Sequence, residues 1–171
     1  MDNQNTNSRP SILDDPADVL VNTTNSVGVM GKGLALAFAQ RWPSIVKDYK
    51  LDCARGALKG GSCLLYDLPR DMFSTHKRQW AAFCTKEHWR NPSRYEWVES
   101  GLQNLISILD KNGHNSVAIP ALGCSNGGLS WNKVLLMIED TFRGSSFDVR
   151  IYPPMFERPF KLENNQKKLN I

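Results

Sequence analysis

The chain has 171 residues, of which 41% are hydrophobic, and its formal net charge at pH 7 is +4. This size and composition predict a single folded domain and exclude a chain that is disordered over most of its length. Apolar runs stay well short of the roughly 20 residues that cross a bilayer, so we do not expect a membrane protein. The mild positive charge suits an anionic ligand and permits contact with nucleic acid, without requiring either.

Cysteine and histidine usage bears on location and metal binding. The four cysteines, Cys53, Cys63, Cys84 and Cys124, are widely spaced and form no C-x-x-C pair. We therefore expect free thiols in a reducing cytoplasm rather than a disulfide framework. The three histidines do not lie at zinc-ligand spacing from these cysteines, so we expect no metal and no cofactor. The polar stretch 1–10 lacks the apolar core of a secretory signal.

The predicted elements alternate between strands and helices along the chain. Residues 1–11 are rich in Asn, Ser and Thr and are predicted to be flexible, residues 12–154 to form the domain, and residues 155–171 to form a polar tail. The predicted strands are 18–22, 62–67, 80–85, 117–120 and 149–152. The predicted helices are 34–41, 45–55, 92–111 and 131–143. Such alternation is typical of the α/β class, with a mainly parallel or mixed sheet covered on both faces.

A first glycine loop, residues 22–33, follows the first predicted strand and precedes a helix. Its sequence is N-T-T-N-S-V-G-V-M-G-K-G. Glycine allows the backbone to approach a ligand closely, and the helix that follows supplies unpaired N–H groups and partial positive charge. The glycine order fits neither the dinucleotide fingerprint nor the P-loop, and the asparagine amides suit sugar hydroxyls. By itself the loop is equally compatible with a structural turn that carries polar caps.

A second glycine loop, residues 120–129, has the same place between a strand and a helix. It reads P-A-L-G-C-S-N-G-G-L, and by itself it too could be a plain turn. In a parallel sheet, loops at the carboxyl ends of strands share the edge where ligands bind. Two such loops in one small domain therefore indicate a diphosphate held from both sides, as in a nucleotide-sugar site.

Three motifs in this order resemble one known family. They are V-N-T-T-N-S-V-G-V-M-G-K-G-L-A-L-A-F, then C-T-K-E-H-W-R, then I-P-A-L-G-C-S-N-G-G-L-S-W. Together they resemble macrodomains, and within these the DarG-type DNA ADP-ribosyl glycohydrolases and the terminal ADP-ribose protein glycohydrolase, over about residues 15–152. The resemblance implies a three-layer α/β/α fold around a mixed, mostly parallel sheet, with a cleft for ADP-ribose.

The resemblance also implies which residues bind the ligand. Asn25 would hold the distal ribose, the second glycine loop would hold the diphosphate and distal ribose from the other side, and Tyr152 would border the adenosine. The implied ligand-binding residues are Asn22, Asn25, Gly28, Val29, Met30, Gly31 and Gly33 in the first loop, Gly123, Cys124, Ser125, Asn126, Gly127 and Gly128 in the second, and Tyr152.

Hydrolysis of an ADP-ribosyl bond by a lysine after a central strand is a further implication, and Lys86 matches that position. A lysine amine attacks an anomeric carbon only in its neutral form, which requires a pKa well below the ordinary value of about 10.4. The nearby Trp80, Phe83 and Trp89 could provide dry surroundings that lower it. His88 is a candidate helper in proton transfer. The alternative is a lysine that is simply exposed or pairs with a phosphate.

Two departures from the family pattern bear on specificity. Asn126 stands where the carboxylate-cleaving relative has an acidic residue, and an amide cannot act as a general base, which favours a DNA adduct. Ser11 stands near the position of the aspartate that reads adenine in macrodomains, while Asp14 and Asp15 are out of step with it. Either one of these aspartates is recruited to read adenine, or the ligand differs.

The sequence therefore predicts an enzyme that releases ADP-ribose from a modified macromolecule, with DNA favoured, in an antitoxin-like role. Arg90, Arg94 and Lys77 flank Lys86 and could meet a DNA backbone, although they could equally form an ordinary solvated rim. The alternatives are a non-catalytic module that binds ADP-ribose and a hydrolase of a small derivative such as the 1″-phosphate. We expect a monomer without membrane contact.

Overall fold

The computed structural model describes residues 9–70, 76–155 and 157–163. Within these ranges, two layers of helices cover a six-stranded sheet. The predicted flexible segment and the predicted tail lie partly outside the described residues. No helix in the described ranges is both long and apolar enough to span a membrane.

The sheet is mixed, with a parallel centre and antiparallel edges. Its strands are β1 (Val19–Asn25), β2 (Cys63–Asp67), β3 (Gln79–Lys86), β4 (Ser116–Pro120), β5 (Asp148–Tyr152) and β6 (Phe160–Lys161). They lie in the order β2-β3-β1-β4-β5-β6. The central strands β3, β1, β4 and β5 run parallel, whereas β2 and β6 are antiparallel to their neighbours. The predicted mixed, mostly parallel sheet is confirmed.

Helices cover both faces of this sheet. They are α1 (Gly33–Arg41), α2 (Ile45–Ala54), α3 (Tyr95–Lys111) and α4 (Trp131–Phe142). α3 and α4 share one hydrophobic core with Val19 and Val21 of β1, whereas α1 and α2 share the other with Leu20. Successive strand residues point to opposite faces, so β1 contributes to both cores. The three-layer α/β/α arrangement is confirmed.

β1 extends three residues beyond its predicted end, and the extension positions the site. Its polar end was predicted to belong to the first glycine loop, but it pairs with β3 as far as Asn25, opposite Lys86. The ladder supplies hydrogen-bond partners to the backbone of these polar residues. The register places Asn25 and Lys86 side by side where the two strands end.

The longest helix, α3, is amphipathic, as its sequence predicts. Val98, Leu102, Leu105 and Leu109 are fully buried at spacings of three and four residues, which place them on one face. The helix begins at Tyr95 rather than at the predicted Pro92, because the backbone just before it is extended. Residues 92–94 therefore run as a connection toward the second glycine loop.

Segments on either side of the domain add two short elements. Ile12–Asp14 forms a 3₁₀ helix, and the Oγ of Ser11 accepts a hydrogen bond from the N–H of Leu13 at 3.2 Å. In the region predicted as a tail, the short strand β6 pairs with β5. β6 was not predicted from the sequence. Residues 1–8 and 164–171 lie outside the described residues.

Candidate functional site

The carboxyl ends of the central strands open into a cleft of about 560 Å³. This volume falls within the range of about 300–1,000 Å³ that is typical of small-molecule sites. The first glycine loop, the segment after β3 and the second glycine loop form its walls. The two glycine loops thus border the same cavity, as their position after parallel strands predicts.

The side chain of Asn25 sets the shape of the first glycine loop. Its Oδ1 accepts hydrogen bonds from the backbone N–H groups of Val27 and Val29, both at 3.2 Å, and its Nδ2 donates to the Val29 carbonyl oxygen at 2.7 Å. The Tyr49 hydroxyl donates to the Asn25 carbonyl oxygen at 2.7 Å. Gly28 turns the loop with a φ of 81°, a conformation that favours glycine. Asn25 lines the cleft, and its contact with the distal ribose stays a prediction beside this role in the loop.

Ser93 packs into the second glycine loop and accounts for two of its glycines. Its backbone N–H donates to the Gly127 carbonyl oxygen at 3.0 Å. A Cβ atom at Gly127 would lie 2.2 Å from the Ser93 Oγ, and one at Gly123 would lie 2.9 Å from the Ser93 Cβ. Because close-packed atoms cannot overlap in this way, a larger residue at either position would displace the loop. Part of the glycine requirement is therefore internal packing.

Lys86 ends β3 with its amine held against the second glycine loop. Its Nζ donates to the carbonyl oxygen of Asn126 at 2.6 Å and to that of Trp89 at 3.4 Å. Burial lowers the pKa of Lys86, and the nearby positive charge of Lys32 lowers it further. Both effects raise the fraction of neutral amine at a given pH, and the neutral amine is the form that a nucleophile requires.

Three buried polar side chains in or beside the carboxyl-terminal half of β1 have no hydrogen-bond partner among the described residues. They are Asn22, Thr24 and Ser93, with exposed fractions of 0%, 4% and 5%. Thr24 and Ser93 line the cleft, and Asn22 lies two residues before Thr24 on the same face of β1. An unpaired buried polar group destabilises a protein by about 1–3 kcal/mol. Such groups beside a cleft are expected where a bound ligand supplies the missing partner.

Three consecutive residues after β3 form what we term the aromatic–basic stack: His88, Trp89 and Arg90. The His88 and Trp89 ring centroids lie 5.3 Å apart with 26° between the ring planes, and the Arg90 Cζ lies 4.5 Å from the Trp89 ring centroid. The Nδ1 of His88 accepts a hydrogen bond from the Arg90 N–H at 3.2 Å. Trp89 and Arg90 line the cleft, so His88 stands behind them rather than in the cleft wall.

The predicted site residues divide into two groups. Those that line the cleft are Asn25, Val29, Gly31, Lys86, Gly123, Ser125, Asn126 and Gly127. Those that the structure places outside its wall are Asn22, Gly28, Met30, Gly33, Cys124, Gly128, His88 and Tyr152.

Local packing explains several of the residues outside the cleft wall. Met30 is buried in the core beneath α1 and α2. Gly33 lies where the two glycine loops meet, since a Cβ atom there would lie 3.2 Å from the Nδ2 of Asn126. Burial raises the pKa of the Cys124 thiol to about 11, so it stays protonated and unreactive at neutral pH.

The cleft also contains residues that were not among the predicted catalytic or ligand-binding residues. They are Thr23, Thr24, Lys32, Leu34, Ala35, Thr85, Trp89, Arg90, Ser93 and Ala121. Thr24 lies in the polar run N-T-T-N, where local composition does not distinguish it from its neighbours. Ser93 carries no local signal either, since its approach to the second glycine loop depends on how α3 packs.

Asp15 is one of the two aspartates considered for adenine recognition, and both of its carboxylate oxygens accept hydrogen bonds from within the protein. Oδ1 accepts hydrogen bonds from the Ala17 N–H at 2.8 Å and from Arg150 at 2.9 Å. Oδ2 accepts from the Tyr152 hydroxyl at 2.6 Å. A carboxylate used in this way stabilises the fold, so the structure gives no support to its recruitment for adenine.

A second cavity, of about 500 Å³, lies beside these residues and is lined by Ser11, Asp14 and Tyr152 among others. Asp14 is 64% exposed and pairs with Arg41 at 3.3 Å, so it is the more accessible of the two aspartates. In the part of the chain that the structure describes, no group of three or more His, Cys, Asp and Glu side chains is arranged to hold a metal ion.

Comparison with known proteins agrees with this architecture. The Macro domain family model matches residues 21–138. The DNA ADP-ribosyl glycohydrolase of Thermus aquaticus is 39% identical over 153 aligned positions, and the match covers 86% of this chain and 40% of that protein. This chain therefore spans less than half the length of that relative.

Solved structures show the same likeness in three dimensions. The macrodomain of Mycobacterium tuberculosis DarG matches with a TM-score of 0.79 and 36% identity, covering 86% of this chain and 95% of that one. Thermosipho africanus DarTG in complex with ADP-ribose matches with a TM-score of 0.76 and 33% identity, covering 83% of this chain and 39% of that one. With its three-layer fold, its paired glycine loops and these similarities, the chain belongs to the macrodomain family.

Proposed function

We propose that this chain hydrolyses the bond between ADP-ribose and a DNA base and releases free ADP-ribose. The observation that carries this proposal is the position of Lys86, a partly buried amine with a lowered pKa in the wall of a nucleotide-sized cleft. The Thermus aquaticus relative is named a DNA ADP-ribosyl glycohydrolase, and the Thermosipho africanus relative was solved with ADP-ribose, which supports this choice of substrate.

The diphosphate would lie between the two glycine loops. α1 begins directly after the first loop and α4 directly after the second, so both helices direct their N-terminal N–H groups and partial positive charge toward this end of the sheet. Lys32 in the cleft wall adds a full positive charge. The adenosine end would extend toward the second cavity, which Ser11, Asp14 and Tyr152 help to line.

The distal ribose would lie against Asn25 and Lys86, which the sheet register places side by side. The hydroxyls of Thr24 and Ser93 are buried in the cleft wall, and after a local shift of that wall they would form hydrogen bonds with the ribose hydroxyls or the phosphate oxygens. Such contacts would orient the anomeric carbon toward the lysine amine, and correct orientation of reacting groups is a large part of enzymatic rate enhancement.

Lys86 would act as the nucleophile of a two-step reaction. Its neutral Nζ forms a bond to the anomeric carbon of the distal ribose while the bond from that carbon to the DNA base breaks, and the proton that the substituted amine gives up goes to the leaving base. Water then attacks the same carbon, its proton passes to the departing Lys86 nitrogen, and the products are free ADP-ribose and the neutral lysine. The contact with the Asn126 carbonyl oxygen holds the amine in place before the substrate binds.

Incubation of the purified chain with an ADP-ribosylated single-stranded oligonucleotide and with an ADP-ribosylated protein tests the proposal. We expect free ADP-ribose from the oligonucleotide, detected by chromatography. Tight binding of ADP-ribose without release from either substrate would instead establish a non-catalytic binding module. Release from the protein alone would move the substrate to a carboxylate adduct and contradict the proposal.

An antitoxin-like role is part of the same proposal. The Thermosipho africanus relative is named as a fusion of a DNA ADP-ribosyl transferase and a DNA ADP-ribosyl glycohydrolase, two activities that oppose each other. A chain with the second activity would reverse the modification made by the first. We place this chain in the cytoplasm as a monomer, a location in which its four free cysteines are ordinary.

A further inference from the structure

Two residues of the aromatic–basic stack, Trp89 and Arg90, lie in the cleft wall beside Lys86, but the stack takes no part in the proposed attack on the ribose. The Trp89 backbone carbonyl contacts the Lys86 amine at 3.4 Å, whereas the Trp89 side chain is 45% exposed. Arg90 is also exposed, and its guanidinium lies over the Trp89 ring. A large aromatic surface is thus kept in solvent at the edge of the cleft, next to the reacting amine.

The chemistry of the stack matches a nucleobase. A flat indole and a flat guanidinium both stack on bases, and the guanidinium adds an attraction for the π-face and for phosphate. The ring of His88 stacks on that of Trp89, and the Arg90 N–H donates a hydrogen bond to His88, so contacts within the protein already link the three residues. A stack that is ordered in advance loses little conformational entropy when a base joins it.

The charge around the stack favours a polyanion. Lys32, Lys86 and Arg90 line the cleft, and among the described residues no aspartate or glutamate does. The whole chain carries a formal net charge of +4. A nucleic-acid strand therefore suits this wall, because its phosphates meet cations and no fixed negative charge in the cleft.

We propose that the aromatic–basic stack binds a nucleobase of the DNA strand adjacent to the ADP-ribosylated nucleotide. This inference rests on the proposed function, because Lys86 marks where the modified base must leave the ribose. The Trp89 carbonyl contact with that amine places the stack within reach of the neighbouring nucleotide. A base that joins the stack is unpaired and unstacked from its own strand, so the substrate is single-stranded at this position and the preference is largely independent of sequence.

Turnover of two substrates provides the first test. One is an ADP-ribosylated oligonucleotide, and the other is the same ADP-ribosylated nucleoside without neighbouring bases. Trp89→Ala should lower the ratio of kcat/KM for the oligonucleotide to that for the nucleoside by about 5- to 150-fold, the range that alanine substitution of a stacking aromatic produces. Trp89→Phe should restore most of the ratio, since phenylalanine keeps a stacking face. An unchanged ratio would overturn the proposal while leaving the hydrolase function intact.

Binding of unmodified DNA provides a second test that does not depend on turnover. Fluorescence anisotropy would compare a labelled oligothymidine strand with an abasic strand of the same length and charge. The wild-type chain should prefer the strand with bases, and Trp89→Ala should abolish that preference. Equal weakening of both strands by Trp89→Ala would show backbone contact alone and contradict base stacking. If neither ADP-ribosylated substrate is turned over, the proposed function fails, but this comparison still decides the role of the stack.

The chain offers a matched control for the guanidinium. Arg94 lies over Trp97 with its Cζ 4.8 Å from the ring centroid, the same pairing as Arg90 over Trp89, but neither Arg94 nor Trp97 lines the cleft. Arg90→Gln should weaken binding of the oligothymidine strand several-fold more than Arg94→Gln does. Equal effects of the two substitutions would show that general positive charge, not the stack, is responsible.

Discussion

The two ends of β1 differ in how their buried polar side chains are satisfied. Directly before the strand, Asp18 accepts hydrogen bonds from the backbone N–H groups of Asn115 at 2.6 Å and Ser116 at 3.0 Å, and it pairs with His76 at 2.7 Å. At the other end, Thr24 is equally buried but its hydroxyl has no partner among the described residues. The two sites lie at opposite ends of one strand and differ in whether the protein itself completes the hydrogen bonding.

This difference distinguishes the start of β1, which stabilises the fold, from its carboxyl end, which borders the proposed binding site. The carboxylate of Asp18 ties the start of β1 to the start of β4, so its hydrogen bonds stabilise the folded state. The groups at the carboxyl end without a partner among the described residues make no such contribution, and in the proposed function a ligand supplies their partners. Substitutions at the first end should therefore change unfolding, and substitutions at the second end should change binding or turnover.

The largest effect is expected at Lys86. Lys86→Ala should reduce turnover of ADP-ribosylated DNA by at least about 1,000-fold, because the proposed nucleophile is lost. Affinity for ADP-ribose, measured by calorimetry, should change by less than about tenfold. Lys86→Arg is the control, since arginine keeps the positive charge but is not deprotonated. Recovery of turnover by Lys86→Arg would mean that Lys86 acts only as a charge.

Asp18→Asn should lower the free energy of unfolding by about 2–3 kcal/mol, because charge-assisted hydrogen bonds to backbone N–H groups are lost. Binding of ADP-ribose should be unaffected, as Asp18 lies at the far end of the strand. Chemical denaturation measures the first quantity and calorimetry the second. Asp14→Asn is the matched control: its carboxylate is 64% exposed, and its substitution should change stability by less than about 0.5 kcal/mol.

Asp18 also predicts a pH dependence of stability. Burial opposes the ionised form of Asp18, but hydrogen bonds from Asn115, His76 and Ser116 outweigh it and lower its pKa. The contribution of this carboxylate is therefore present above its unfolded pKa of about 3.9 and is lost as the pH falls through the lowered folded value. The acid limb of the stability curve should be flatter in Asp18→Asn than in the wild-type chain.

Gly127→Ala should disturb the site and also lower the free energy of unfolding, by about 1–3 kcal/mol. The added Cβ would lie 2.2 Å from the Ser93 Oγ and 2.3 Å from the Gly123 carbonyl oxygen, so the second glycine loop must move. ADP-ribose affinity should fall by roughly tenfold or more, measured by calorimetry. Gly144→Ala is the control, because φ is 71° there but no atom lies within 4 Å. It should reduce stability by about 1 kcal/mol and leave affinity unchanged.

Thr24→Val and Ser93→Ala test the difference between the two ends of β1 most directly. Each substitution removes a buried hydroxyl without a partner, so thermal stability of the free chain should be unchanged or rise by up to about 1 kcal/mol. ADP-ribose affinity should nevertheless fall by about three- to tenfold for each, the loss expected for one hydrogen bond. A loss of stability with unchanged affinity would show that these hydroxyls serve the fold, and the contrast between the two ends of β1 would disappear.

The smallest effect is expected in the pH profile of turnover. Single-turnover rates of the wild-type chain should rise with pH as Lys86 loses its proton, because only the neutral amine is a nucleophile. Lys32→Met should move that rise to higher pH, since the positive charge of Lys32 helps to lower the Lys86 pKa. Lys161→Met, at the opposite edge of the sheet, should leave the profile in place. Coincident profiles for Lys32→Met and the wild-type chain would contradict this electrostatic coupling.

The sequence by itself indicated the alternation of strands and helices and the two glycine loops, whereas Lys86 was chosen through the family resemblance and its role stays a prediction. Hydrophobic periodicity and glycine placement are local properties, and they act over a few residues. The extent of β1 was underestimated because its polar end is stabilised by pairing with β3, which local composition does not show. β6 was missed for the same reason, since two exposed residues form a strand there by pairing with β5.

Only the tertiary structure decided how the polar groups are used. Asp15 is engaged by Arg150 and Tyr152, which lie 135 and 137 residues away along the chain. Ser93 fills the space beside Gly127, and Thr24 and Ser93 are left unpaired at the cleft. These facts depend on which distant segments meet when the two helix layers pack on the sheet, and contacts between distant segments leave no periodic mark in the sequence.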